Sequence, residues 1–306
     1  MTSDIAGELT GQLAALLAAS FWAVATLLYH RAGSHFSPLQ MNLVKGVIAT
    51  PLLLIVSLLL GNSLELNSGL WLLALSGIIG ITIGDSCHFA ALRRLGPWHA
   101  MLLEYLAPPL AAFMAWLFLN DGLSTIEITG AVITLSGVLW VVTEKAPDKQ
   151  PALSLSGIFF GCGAALCQAT GLVMAFAVLM QSNVNAIDAA FVRLAAGSLL
   201  LAIIVGLSKR GAYNAIIKQV RSINPLPLLG AIVFGTFLAI WLQQISIANI
   251  NPGLTQTLLS TAPLFLIPIS LLKKTTNYPT FYSRSPNLIG RNQYFISIVR
   301  RRTLFR

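Results

Sequence analysis

The sequence predicts an all-α membrane protein of two inverted five-helix repeats. Three observations carry that reading. Of 306 residues, 56% are apolar and only 9% charged, against about 25% charged in soluble domains. Charge-free stretches are long: Leu9–His30, Gly46–Leu64, Leu66–Gly84, Gln150–Ile187 and Ser222–Leu272. A spanning helix needs about 20 apolar residues, so the last two hold two helices each or nearly so. Third, the chain resembles itself when displaced. A shift of 155 positions sets Leu73 on Leu228, Gly80 on Gly235 and Pro97 on Pro252, and Leu103, Ala107 and Pro108 on Leu258, Ala262 and Pro263. A shift of 148 sets Val44-Lys45 on Val192-Arg193. An odd number of spans per unit turns the second unit upside down relative to the first.

In order, the spans are predicted at 12–32, 38–60, 69–92, 97–119 and 126–143, then 155–180, 185–207, 225–249 and 253–272. Breakers separate several of them: Gly33 to Pro38, Gly61 to Ser68, Gly96-Pro97 and Asn251-Pro252-Gly253. The pairs Gly80/Gly84 and Gly157/Gly161 have the small-xxx-small spacing of close helix contacts. The units are residues 1–145 and 151–274, with five and four clear spans. Residues 275–306 are polar, aromatic and basic, with six Arg and no acid. The tenth helix is therefore missing or replaced by a basic tail. The tail reads as a frameshift or truncation, or as a segment lying on anionic lipid.

The start carries Asp4 and Glu8 and no basic residue before the first apolar run, unlike a secretory leader. Lys and Arg fall on alternate loops. Arg31, Arg93, Arg94, Lys145, Lys149, Lys209, Arg210, Lys218, Arg221, Lys273 and Lys274 all follow odd-numbered spans, and the other loops hold none. The positive-inside rule places these loops in the cytoplasm and the N-terminus outside. The net charge of +9 then belongs to loops facing anionic lipid, and nucleic acid is not an expected partner. Cys87, Cys162 and Cys167 lie in apolar stretches and read as reduced packing residues.

Inverted repeats with a midplane site are typical of secondary transporters. The motifs Ala18-Ala19-Ser20-Phe21-Trp22, Lys45, Gly84-Asp85 through Leu95-Gly96, Leu106-Ala107-Pro108, Leu119-Asn120-Asp121-Gly122-Leu123 with Gly130 and Gly137, and Thr261-Ala262-Pro263 occur in that order. Over residues 10–272 the chain thereby resembles the EamA-like transporters of the drug/metabolite transporter superfamily. The resemblance implies export or uptake of small metabolites or amphipathic compounds. The expected setting is the plasma (inner) membrane, with a small-molecule substrate, the lipid bilayer and a homodimer as partners.

Ionisable residues inside spans cost about 2.5–3.5 kcal/mol on insertion scales and are functional candidates by default. Lys45, Asp85 and Glu104 are each displaced about 6 Å from their span centres toward one side. They read either as a cluster binding a polar substrate group or a proton, or as a buried ion pair with a second acid at a wet vestibule. Arg193, the mate of Lys45, falls on the opposite side, with Asp188 its nearest acid in sequence. Further pocket candidates are Trp22 and Gln168, which are repeat mates, with Asn42, His88, Gln243 and Gln244. His88 shares a helix face with Asp85. No metal or cofactor is expected. The chain has no His-Glu-x-x-His motif and no Gly-rich loop ending in Gly-Lys-Ser/Thr. An inactive remnant, an intramembrane enzyme and a channel are the competing readings.

Overall fold

A computed structural model describes residues 2–32, 36–61, 69–119, 125–143, 154–208 and 211–265. The predicted tail lies outside the described residues. Helices lie in all nine predicted ranges, the ninth of which is described only to residue 265. They are α1 (Thr2–Ala32), α2 (Pro38–Leu59), α3 (Leu70–Gly77), α4 (Ser86–Leu103), α5 (Ala107–Leu119), α6 (Thr125–Thr143), α7 (Leu155–Gln181), α8 (Ala186–Ser208), α9 (Ala212–Ser222), α10 (Pro225–Ile232), α11 (Ala239–Ile247) and α12 (Pro252–Leu259). Wide π-helical turns, Ile78–Asp85 and Val233–Leu238, join α3 to α4 and α10 to α11. A short 3₁₀ turn, Glu104–Leu106, joins α4 to α5.

Six helical stretches among the described residues are long and apolar enough to cross a bilayer: Ile5–Ala32, Pro38–Leu59, Leu70–Leu119, Leu155–Gln181, Ala186–Ser208 and Pro225–Ile247. The 50-residue stretch is two crossings. At Gly96 the backbone leaves helical geometry with φ 77°, a conformation natural only to glycine, and Pro97 restarts the helix with its fixed φ. Contacts with α7 establish the reversal. Gly157 lies against Leu95, Gly84 against Cys167 and Gly171 against Gly80, so the segment before Gly96 runs antiparallel to α7. After it, Gly161 meets Leu103, and Ala111 and Ala115 cluster with Ala169 and Val173, a parallel run.

Helix starts are closed by side chains. Ser37 and Gln40 form a reciprocal capping box ahead of Pro38. Asn224 caps α10 through the Leu226 N–H at 3.0 Å, and Asn251 caps α12 through the Leu254 N–H at 2.7 Å. Both asparagines precede a proline at the first helical position, where no N–H is left to satisfy.

On the first helix small residues turn inward and large apolar ones outward. On α1, Ala14, Ala15, Ala18, Ala19 and Ala25 are buried while Leu9, Leu13 and Leu17 stand about half exposed. Lipid solvates leucine as well as a protein core does, so close backbone approach decides which face turns inward. Gly77 packs so tightly on the Arg193 backbone that a Cβ there would clash with the Arg193 carbonyl oxygen. The predicted small-residue pairs serve this purpose: Gly157 and Gly161 receive Leu95 and Leu103.

α1 packs antiparallel on α10 and α11, with Gly11 against Ile250 and Gly235 against Ala25. Displacing these contacts by the repeat shifts, 146 for α1 and 155 for the other helix, gives Gly157 against Leu95 and Gly171 against Gly80, both observed. The π-helical stretches also begin at mates, Ile78 and Val233.

Candidate functional site

A small, partly open pocket lies between α1, α4, α5, α7 and α12. Four pairs of repeat mates face it: Trp22 with Gln168, Met101 with Gln256, Glu104 with Leu259, and Ala107 with Ala262. Asp85 and His88 line it from the end of the π-helical stretch and the start of α4.

The intramembrane charges form two pairs. Lys45 Nζ is bonded to Asp85 Oδ2, both side chains buried. Lys45 also faces the Phe89 ring at 5.4 Å, a cation–π contact that partly replaces lost water. Glu104 does not join them. Its Oε1 lies 2.8 Å from His88 Nδ1, and its side chain is 27% exposed into the pocket. The geometry is the second of the two arrangements expected from depth, a buried ion pair with a separate, wetter acid, which here faces an imidazole. Asp85 and His88, three residues apart, present both pairs on one helix face.

Other candidates have different surroundings. Asn42 donates to the Ile81 carbonyl at 2.6 Å and to Ser86 Oγ at 2.9 Å. It satisfies backbone loosened by the π-helical turns and does not line the pocket. Gln243 and Gln244 are buried outside the pocket, and each keeps side-chain polar atoms without a hydrogen-bond partner. Arg193 is 2% exposed, and its Nε and Nη1 have no hydrogen-bond partner among the described residues. Its sequence neighbour Asp188 is held elsewhere, by the hydroxyl of Ser57 and by Asn185 Nδ2 at 2.8 Å. Ser57 is on α2, so this carboxylate ties α2 to α8 and does not neutralise Arg193.

Gln256 and Ser260 line the pocket and escaped sequence reading. Gln256 is buried with its amide nitrogen unpartnered. The signal for it was present: it is the mate of Met101, three residues before Glu104.

Comparison with known proteins accords with this architecture. The profile of the EamA-like transporter family matches twice, over residues 9–143 and 155–279. The chain belongs to that family and is a multi-pass membrane protein of transporter fold. It is 25% identical over 238 residues to "Protein LicB" of Haemophilus influenzae, covering 74% of this chain and 76% of that protein. It is 32% identical over 81 residues to "Uncharacterized transporter YyaM" of Bacillus subtilis, a match spanning only 27% of that relative. A solved crystal structure of a protein 20% identical in sequence superposes with a TM-score of 0.63, covering 90% of this chain and 89% of the other. That likeness establishes the fold.

Proposed function

We propose that this protein is a secondary transporter of the plasma membrane. It moves a small metabolite or amphipathic compound by alternating access through the pocket between its halves. The observation that carries the reading is the pairing of repeat mates around one cavity. A site lined by equivalent positions from two inverted units lies on their pseudo-twofold axis, where exchanging the two units' conformations opens it to either side. The recurrence of Gly157–Leu95 as Gly11–Ile250, and of Gly171–Gly80 as Ala25–Gly235, supports the inverted arrangement.

The pocket offers an aromatic face (Trp22), amides (Gln168, Gln256), a hydroxyl (Ser260) and one half-wet carboxylate (Glu104). These suit a solute with an apolar body and a few polar groups. Glu104 with His88 is the proton-handling pair in this reading. The carboxylate faces the solute, and the imidazole three residues past Asp85 holds it in place. Proton coupling then works by competition, with solute and proton alternating at Glu104. The positive-inside count supports an outside N-terminus.

Uptake into proteoliposomes from a metabolite mixture, under an imposed pH gradient, tests this. Gradient-driven accumulation by the native chain, lost in Glu104→Gln, is the expected result. Accumulation indifferent to the gradient removes the coupling. The absence of any flux from correctly inserted protein favours the remnant.

A further inference from the structure

We propose that Asp85 is a shared counter-ion, passed between Lys45 and Arg193 as the pocket changes the side to which it opens. The inference rests on the alternating-access reading and assigns a role to Arg193, which lies outside the pocket lining.

Among the described residues, two cations and one available acid occupy the buried centre. Lys45, Asp85 and Arg193 are all at most 9% exposed. Asp188 is held by Ser57 and Asn185, and Glu104 by His88. Asp85 has no acidic mate, because position 240 is isoleucine, whereas Lys45 has a cationic mate in Arg193. An inverted pair of units thus shares a single carboxylate. A buried guanidinium with unfilled donors is unfavourable, and in this conformation Arg193 is the unfilled one.

The three groups are ordered along the packed pair α2 and α8. α2 and α8 run antiparallel, with Gly46 against Ser198 and Ser57 bonded to Asp188. Lys45 therefore stands level with about residue 199, and Arg193 about 9 Å further along the axis. The π-helical stretch Ile78–Asp85 spans that interval. Gly77 touches the Arg193 backbone, a Cβ on Gly80 would lie 3.3 Å from Arg193 Nη2, and Asp85 ends the stretch beside Lys45. In a π-helix residues five apart are linked by the i→i+5 hydrogen bond. Gly80 and Asp85 are so spaced, which sets the Arg193 guanidinium about one turn from the Asp85 carboxylate on one face. Glycine at 80 leaves the gap open. A change of Asp85 rotamer, with extension of Arg193 past Gly80, completes the exchange.

The test reads pocket access rather than transport, so it is independent of substrate. A cysteine replaces Ala262, which lines the pocket, in a background with Cys87, Cys162 and Cys167 changed to alanine. Reconstituted protein is treated with a membrane-impermeant maleimide from either side. The parent should label from both sides. Arg193→Met, which leaves Asp85 with Lys45, should label from one side only, and Lys45→Met from the other. Lys45→Arg and Arg193→Lys keep the charges and guard against misfolding of the methionine variants. Both should shift labelling toward the side seen with Arg193→Met, because arginine holds a carboxylate better than lysine. The same side ratio in all variants overturns the proposal, as does labelling from neither side. Two-sided labelling without solute flux would fault the transport reading alone.

Discussion

His88 Nδ1 stands 2.8 Å from Glu104 Oε1 across the reversal at Gly96. The two residues lie on opposite arms of a hairpin, and the contact ties those arms together at the pocket wall. Glu104→Gln keeps the volume and a hydrogen-bond acceptor for the imidazole but removes the titrating group. Counterflow exchange of solute should survive in this variant, whereas accumulation driven by a pH gradient should fall to background. Parallel flux assays check both.

Lys45 and Asp85 make the sealed pair. Removing Asp85 leaves the Lys45 ammonium buried and unmet, at a cost of about 3–5 kcal/mol, whereas replacing both partners with apolar residues restores most of the loss. Thermal unfolding in detergent should show Asp85→Leu strongly destabilised, Lys45→Met less so because Arg193 can take the carboxylate, and the double variant recovered toward native. The double variant should nevertheless be inactive.

The fold was legible down to its breakers. Gly96-Pro97 marks a real reversal because only glycine accepts φ 77° and only proline restarts a helix without an N–H to satisfy. The small-residue pairs likewise found close partners. Depth along a helix does not, however, fix azimuth. Span position puts Lys45, Asp85 and Glu104 at one expected level, yet Glu104 faces His88 and not Lys45. The π-helical turns left no mark in composition, and they decide which residues of the third span share a face. Gln256 was missed because its mate, Met101, is apolar and marks the position only through its spacing from Glu104.

Gly77 has no room for a side chain against the Arg193 backbone. Gly77→Ala forces α3 away from α8, an overpacking that costs about 1–3 kcal/mol. The expected readout is a lowered midpoint of thermal unfolding with the helical content of the native chain. Gly130→Ala, where nothing lies near the added carbon, should leave the midpoint unchanged or raised.

Loop charges predict sidedness. A cysteine placed at position 148, in the basic joint after the fifth predicted span, should react with impermeant maleimide only after the membrane of intact cells is permeabilised. Its reaction in intact cells would invert the assigned topology.

In the proposed transport cycle Trp22 and Gln168, mates on α1 and α7, hold the transported solute from two sides. Solute counterflow in proteoliposomes, with no gradient imposed, tests it most directly. The native chain should show saturable exchange, with a half-saturation concentration raised about tenfold or more in Trp22→Ala and in Gln168→Ala, the loss of roughly 1.4 kcal/mol of binding in each. Flux that rises linearly with solute, or saturable exchange untouched by both substitutions, would contradict it.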